Sequence, residues 1–343
     1  MIHAIILAGG LGTRFWPLSR QHEPKQFLRI FSGKPMIEET IRRVSRLIDK
    51  DNIYIATNQK HYKKIRACLD KLHLPSRNIF FEPLARNTLA PIGVLSKKIY
   101  EKDRDAVVVV LPSDHYVKYE SRFLEILKRA AQAAGEGSIV TLGIKPDRPE
   151  TGYGYIKVRS QGFQVERFIE KPTLKKAKEL IKDKRFYWNA GIFIFRPDTL
   201  LEEMKRWTPR EFSVLNRITD KKSLKRAWPH FASVSVDYAI MEKSRRLELI
   251  PADIGWLDLG SWGSVEKLEK KDRDGNVLKG NCVTVGTRRT LAWSDNRLLA
   301  LVGIEDAIVV NTKDAILVCA KDRAQEVKKL VQVLRQKKLT KQI

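Results

Sequence analysis

The sequence predicts an α/β protein with a mostly parallel central sheet, followed by a small β-rich, β-helix-like C-terminal domain that ends in a helix. Three observations carry this. Near-continuous apolar runs at 2–7 (IHAIIL) and 105–111 (DAVVVVL) have the pattern of strands buried on both faces. They alternate with amphipathic stretches, and strand–helix–strand order implies right-handed crossovers onto a parallel sheet. From about residue 275 the longer helical patterns give way to short apolar strands between turns.

The opening strand at 2–7 runs into Gly9, Gly10, Leu11, Gly12, Thr13 and Arg14, with Pro24-Lys25-Gln26 a little further on. Glycines let consecutive N–H groups point into one concavity and hold an anion. Taken alone they would equally make a tight turn. Thr13, Arg14 and Lys25 add a hydroxyl and two cations, which suits a triphosphate. The loop lacks the third glycine of the dinucleotide fingerprint and the Gly-Lys-Ser/Thr of a P-loop. A helix with Ile37, Ile41, Val44 and Ile48 on its buried face follows, then a strand at 52–57 and a basic helix near 61–72.

A strand at 79–82 ends in Glu82-Pro83, and the chain continues through Leu84, Ala85, Arg86, Asn87 and Thr88. Glu82 offers a carboxylate acceptor at this strand end, and its plain reading is a surface acid paired with Arg86. The strand at 105–111 ends in Pro112-Ser113-Asp114-His115. Ligands of open α/β sheets sit beyond the carboxyl ends of strands, so Asp114 is placed where chemistry would occur, with capping of a following helix as the plain alternative. His115 reads as a structural hydrogen-bond donor, since no second histidine lies at ligand spacing. After a strand at 138–144, a helix is expected to start near Asp237, which reads as a cap or supporting group. Asp258 lies in Gly255-Trp256-Leu257-Asp258-Leu259-Gly260-Ser261-Trp262, where an isolated Asp near a glycine reads as a turn residue and two tryptophans offer a rigid platform. In the C-terminal part, 306–310 is echoed at 314–318, which suggests stacked β rungs, and 325–336 reads as an amphipathic helix.

Composition narrows the classes. The 343 residues include no apolar run near twenty, which argues against a membrane-spanning protein. The chain enters a strand without a basic and apolar leader, so a cytoplasmic location is expected. Three cysteines without Cys-x-x-Cys speak against a disulfide framework or a structural zinc site. The net charge of +25 comes from scattered Lys and Arg without a nucleic-acid-binding module, so a solvated basic surface that attracts small polyanions is favoured over a nucleic-acid site.

The string Gly10 to Ser19 (GLGTRFWPLS), with Pro24-Lys25-Gln26, resembles the opening of the sugar-1-phosphate nucleotidyltransferases. Its continuation, Phe15-Trp16-Pro17-Leu18-Ser19-Arg20, is similar to the bacterial mannose-1-phosphate guanylyltransferases (GDP-mannose pyrophosphorylases). The Glu-Pro-x-x-Arg-Asn-Thr string resembles the same guanylyl branch, which implies that Glu82 faces the base, where a carboxylate can accept from guanine N1–H and N2–H2 together. The resemblance implies a Rossmann-like catalytic domain over 1–274 and a small domain over 275–343, without the isomerase domain that longer bifunctional relatives add. It implies a nucleotide site of Leu7, Ala8, Gly9, Gly10, Gly12, Thr13, Arg14, Lys25, Glu82, Pro83, Arg86, Asn87, Thr88, Ser113 and Asp114. A sugar-phosphate site of Tyr153, Gly154, Glu170, Lys171, Asn189 and Gly191 is implied in the same way. Arg14, Lys25, Asp114 and Asp258 are the implied catalytic residues, with Asp114 and Asp258 holding Mg²⁺ or another divalent cation such as Mn²⁺. The implied reaction joins GTP and mannose 1-phosphate into GDP-mannose and diphosphate, without nucleic acid or membrane; the β-rich C-terminal part reads as packing on the catalytic domain or forming a homodimer. Another sugar or nucleotide on the same fold, a noncatalytic nucleotide sensor and a basic RNA-binding protein are the competing readings.

Overall fold

A computed structural model describes residues 1–10 and 12–343, with Thr340 described by its backbone alone; Leu11, inside the glycine-rich signature, lies outside the described residues. The chain forms two compact units, Met1–Gly9 with Thr40–Trp256 and Gly10–Glu39 with Leu257–Ile343.

The first unit contains β1 (Ile2–Ala8), β2 (Ile53–Asn58), β3 (Ile79–Glu82), β4 (Val107–Pro112), β5 (His115–Val117), β6 (Ile139–Ile144), β7 (Tyr155–Val158), β8 (Val165–Ile169), β9 (Phe186–Phe195) and β10 (Leu247–Pro251). The main sheet has the order β10-β6-β9-β4-β1-β2-β3. β1 lies between β4 and β2, parallel to both, with Ala4 opposite Val109 and Ile53. That central place is why its apolar run is uninterrupted: Ala4, Ile5 and Ile6 are wholly buried. β9 runs antiparallel to β4 and β6, which makes the sheet mixed while its larger part stays parallel. Its reversal brings Trp188 opposite Ile144 at the carboxyl end of β6. β7 pairs with β9 and with β8, adding a flap to the same strand.

Helices cover the sheet. In Leu89–Lys102 nine residues are buried, including Ile92, Leu95 and Ile99. They join Val108, Phe193, Phe195, Met204 and Trp228 in one core. Burying such side chains contributes about 1.5–3 kcal/mol each, before the opposing chain entropy. The helix Met36–Val44 buries Ile37, Ile41 and Val44 as its spacing requires, with Glu38 and Glu39 in its first turn and Arg42 and Arg43 in its last to complement the helix dipole.

β11 is Trp256–Asp258. The second unit contains β12 (Val277–Val285), β13 (Leu291–Val302), β14 (Ala307–Asn311) and β15 (Ile316–Ala320). β12, β13 and β14 are parallel rungs, with Leu291 opposite Ile308 and Cys282 opposite Leu299. Polar side chains tie rung to rung: Asn311 Nδ2 donates to Ser294 Oγ at 2.9 Å. The echoed segments are not both rungs. β15 folds back antiparallel on β14, Val309 opposite Val318, because only a short turn joins them and parallel neighbours require a long crossover. The amphipathic helix Val327–Gln336 follows a 3₁₀ stretch at Lys321–Glu326.

Candidate active site

In the second unit the signature chain turns at Gly12, whose φ of 63° is left-handed, and enters the 3₁₀ turn Thr13–Phe15. Phe15 N–H donates to the Gly12 carbonyl at 2.9 Å, and the Ser19 hydroxyl donates to the same carbonyl at 2.7 Å. A Cβ on Gly12 would lie 2.2 Å from Lys25 Cβ, so the glycine is what admits the lysine. Lys25 is 6% exposed; its Nζ stands 3.6 Å from Asp258 Oδ1 and 5.6 Å from the centre of the Phe15 ring. Arg14 Nη1 donates to the Gly260 carbonyl at 3.4 Å, while its Nε is buried without a hydrogen-bond partner among the described residues. Trp262 packs its ring 5.4 Å from Phe15 and donates from Nε1 to the Trp16 carbonyl at 2.9 Å. The fold thus gathers Gly12, Arg14, Lys25 and Asp258: two cations for a polyphosphate and one carboxylate beside them. Gly10 and Thr13 flank the same turn.

The other residues expected at a nucleotide belong to the first unit. Leu7, Ala8 and Gly9 end β1, and the Leu7 carbonyl accepts from Ser113 N–H at 3.0 Å. Glu82, at the end of β3, is 7% exposed, and a Cβ on Gly9 would lie 3.2 Å from its Oε1. Burial pushes its carboxyl up to about 7, although the Arg86 backbone N–H donates to it. The Arg86 guanidinium turns away and donates to the Pro229 carbonyl at 2.7 Å, so the surface ion pair does not form. Local bonds shape the rest of this loop: Asn87 has a φ of 59°, its Oδ1 accepts from Thr88 N–H, and Thr88 Oγ1 accepts from Val236 N–H at 2.9 Å. Pro83 is exposed beside them.

Asp114 sits half-buried in the turn between β4 and β5. A strand follows it and the next helix begins only at Glu120, which removes the helix-capping alternative. Thr40 Oγ1 fixes the turn by donating to the Ser113 carbonyl at 3.2 Å. His115 at Nδ1 accepts from the Trp256 indole at 3.1 Å, which leaves Nε2 as the donor nitrogen of the neutral ring.

The sugar-phosphate candidates gather in the first unit as well. Tyr153 stacks edge-on against Trp188 at 5.2 Å and Trp256 at 5.1 Å. A Cβ on Gly154 would lie 2.5 Å from Glu170 Oε2 and 3.3 Å from Asn189 Cβ, so glycine permits this close approach. Glu170 has a 7% exposed side chain; Oε1 meets Lys171 Nζ at 2.7 Å and Oε2 is buried without a hydrogen bond. Asn189 Oδ1 accepts from Gly191 N–H at 2.9 Å and Thr141 Oγ1 at 3.2 Å, and its Nδ2 donates to Asp237 Oδ1 at 2.9 Å. Asp237 opens the π-helical turn Asp237–Met241 with Val236 as its cap, so its carboxylate serves Asn189 instead of the helix start. Burial, then the charge of Glu170, pushes Asp237 up to about 6. Trp188, Trp256 and Glu242, which accepts from Glu170 N–H at 3.1 Å, were not singled out for this cluster from sequence. Their only signal was proximity to the quoted strings.

Among the described residues no group of three or more His, Cys, Asp or Glu is gathered as a metal cage. The candidate donors are carboxylate oxygens, which suit Mg²⁺: it takes one or two carboxylates and completes its shell with phosphate and water. The described cysteines are thiols rather than disulfides, and no described helix is long and apolar enough to cross a membrane.

A family model described as nucleotidyl transferase matches residues 3–275, and one described as MannoseP isomerase/GMP-like beta-helix domain matches 280–334. The chain is 35% identical to mannose-1-phosphate guanylyltransferase 2 of Escherichia coli O157:H7, over all of this chain and 75% of that protein. It is 40% identical to the xanthan biosynthesis protein XanB of Xanthomonas campestris pv. campestris, over 95% of this chain and 72% of that one. A crystal structure titled mannose-1-phosphate geranyltransferase, from Thermus thermophilus, matches with a TM-score of 0.88 at 33% identity, covering 97% of this chain and 99% of its own.

Proposed function

The chain belongs to the nucleotidyl transferase family, and from that premise we propose that it is a mannose-1-phosphate guanylyltransferase, making GDP-mannose and diphosphate from GTP and α-D-mannose 1-phosphate. The observation that carries the choice of nucleotide is Glu82: an acceptor buried at a strand end, facing Gly9, with no guanidinium paired to it. Guanine alone among the common bases presents two adjacent donors, N1–H and N2–H2, to such a carboxylate. Relatives named for guanylyl transfer to mannose 1-phosphate support the same reading.

A phosphate oxygen of the sugar ester attacks the α-phosphorus directly. The new P–O bond forms as the bond to the β-phosphate breaks, and the electron pair leaves with diphosphate. No covalent enzyme intermediate is required, so alignment and charge neutralisation supply the rate. Arg14 and Lys25 stabilise the departing diphosphate. Lys171 pairs the sugar phosphate, and Glu170 and Asn189 bind sugar hydroxyls, Glu170 through Oε2, which is buried and has no hydrogen bond among the described residues, and Asn189 through an amide whose orientation is already fixed. Tyr153, Gly154 and Gly191 shape that pocket. Asp114 and Asp258 are the residues to hold Mg²⁺ or Mn²⁺, which when bound supplies positive charge to the phosphates.

We assign nucleotidyl transfer to 1–274 and a packing or pairing role to 275–343, a division supported by family models that match 3–275 and 280–334. A homodimer through the C-terminal part is supported by the exposed apolar side chains Val283, Val285, Leu298, Val302, Ile316 and Val318. A cytoplasmic site of action fits the reduced thiols and the nucleotide substrate. The deciding experiment is diphosphate release across four nucleoside triphosphates and several sugar 1-phosphates. GTP with mannose 1-phosphate is expected to be the best pair; faster turnover with another base or hexose overturns the assignment.

A further inference from the structure

Trp16 and Arg20 lie in the signature string yet have no part in the reaction above. Within the second unit they face residues 342 and 343. The Trp16 indole N–H donates to the Gln342 carbonyl at 2.6 Å, and the Arg20 guanidinium donates to the same carbonyl while pairing with Asp314 at 2.7 Å. The Gln21 backbone N–H donates to the Ile343 carbonyl at 2.8 Å. Ile343 is 5% exposed and lines a small cleft with Thr13, Trp16, Ser19, Val331 and Arg335. Arg20 is 7% exposed, so leaving its guanidinium without these acceptors would strand a buried charge.

We propose that residues 342 and 343 act as a positioning brace for the signature turn, with Trp16 and Arg20 as its anchors. The turn is a single 3₁₀ segment beginning at a left-handed glycine, and among the described residues its backbone bonds stay local: Phe15 N–H to the Gly12 carbonyl, Trp16 N–H to the Thr13 carbonyl, and Leu18 and Ser19 N–H to the Phe15 carbonyl. Segments of that kind open locally at low cost unless outside contacts hold them. On one side the Trp262 indole grips the Trp16 carbonyl; on the other the 342–343 backbone grips the Trp16 ring, Arg20 and Gln21. Arg14 lies inside the braced turn, and Lys25 packs against Gly12 at its start. The brace touches no substrate. It fixes where the two cations stand, and its kinetic consequence rests on the transfer reaction proposed above.

The test compares the full chain with a chain shortened by residues 342 and 343, and with Trp16→Phe, Ile343→Asp and Ile343→Val. Amide hydrogen exchange at 12–16 is followed without substrate, together with kcat and KM for GTP and mannose 1-phosphate. The shortened chain, Trp16→Phe and Ile343→Asp are expected to exchange faster at 12–16 and to lose about tenfold or more in kcat, since small misplacements of charge-stabilising groups are amplified in rate. The KM for mannose 1-phosphate stays within about twofold, because its binding residues are elsewhere, and Ile343→Val restores parent behaviour. Parent-like exchange and parent-like kcat in the shortened chain overturn the brace. Should shortening or Ile343→Asp prevent folding, Trp16→Phe, which keeps an aromatic side chain and removes the indole N–H, supplies both readouts. If the parent itself transfers no guanylyl group, the reaction reading falls and the exchange measurement alone decides the brace.

Discussion

Lys25 Nζ stands 3.6 Å from Asp258 Oδ1, with the lysine side chain buried and the aspartate at 29% exposure facing solvent more openly. The lysine therefore has a fixed position, while the acid keeps an oxygen accessible. Lys25→Ala is expected to cost about 2–4 kcal/mol of transition-state stabilisation, the range for losing one preorganised charge-stabilising group. Asp258→Ala should depress turnover far more than GTP affinity, because the triphosphate retains Arg14 and Lys25. Calorimetric GTP binding beside a diphosphate-release assay separates the two effects. Equal turnover by Asp258→Ala and the parent would reject a catalytic role for that carboxylate.

Gly12 is the position where a single methyl group does most damage in the signature turn. Its backbone is left-handed, which strains any L side chain by about 1–3 kcal/mol. The added Cβ would also fall 2.2 Å from Lys25 Cβ, an overlap relieved only by moving the lysine stem. Gly12→Ala is expected to lower kcat by about tenfold or more while the thermal midpoint moves by only a few degrees. Steady-state kinetics and a thermal melt on the same preparation check this. A variant with parent kcat would show that the site tolerates a displaced Lys25.

The central strands were legible because burial on both faces leaves an uninterrupted apolar run, as at Ala4, Ile5 and Ile6. Strand direction leaves no such trace: Phe186–Phe195 reads as a strand, but nothing in its composition says that it runs against β4 and β6. The same blindness made Asp306–Val310 and its echo look like successive rungs, when the second is the returning arm of a hairpin. Short strings with several chemistry-bearing residues were legible too, and the fold does bring Gly154, Glu170 and Asn189 together. Asp237 was read as a cap or supporting group because a lone acid at a helix start looks alike in sequence whether it meets solvent or a buried amide. Only the folded chain gives it Asn189 as its partner.

Glu82 gives the reaction a pH signature. Its carboxyl, at about 7 in the folded chain, lies above the ordinary value of 4.5. Between those two pH values the unfolded chain has released this proton and the folded chain retains it, so its contribution to stability falls as pH rises through that window and levels off above 7. Glu82→Gln should flatten that part of the stability curve, which denaturant titration at several pH values can follow. Guanine's paired donors select the ionised form, so the KM for GTP is expected to fall about tenfold from pH 6 to pH 8. A glutamine there offers one acceptor and one donor, which suits uracil better than guanine. Glu82→Gln should thus shift the ratio of GTP to UTP use toward UTP; an unchanged ratio would remove Glu82 from base selection.

Asp237 and Asn189 make the last test, because the two obvious substitutions at Asp237 part ways. Alanine leaves Asn189 Nδ2 without its 2.9 Å acceptor in a buried site, so the amide is free to reorient and Glu170 loses its ordered neighbour. An unsatisfied buried donor costs about 1–3 kcal/mol, and that loss should appear in kcat/KM for mannose 1-phosphate with little change in the KM for GTP. Asparagine retains an oxygen that can accept from Nδ2 and removes the charge facing Glu170. Asp237→Asn is therefore expected to hold most of the activity at neutral pH. Its stability profile should also change with a definite sign. The parent carboxyl is raised to about 6, so the parent loses stability between roughly pH 4 and 6 as the unfolded state releases the proton first. The asparagine variant lacks that decline, so it gains on the parent between about pH 4 and 6 and keeps the difference above pH 6. Equal sugar-phosphate kinetics for Asp237→Ala and Asp237→Asn would show that the hydrogen bond to Asn189 does not hold the sugar site in shape.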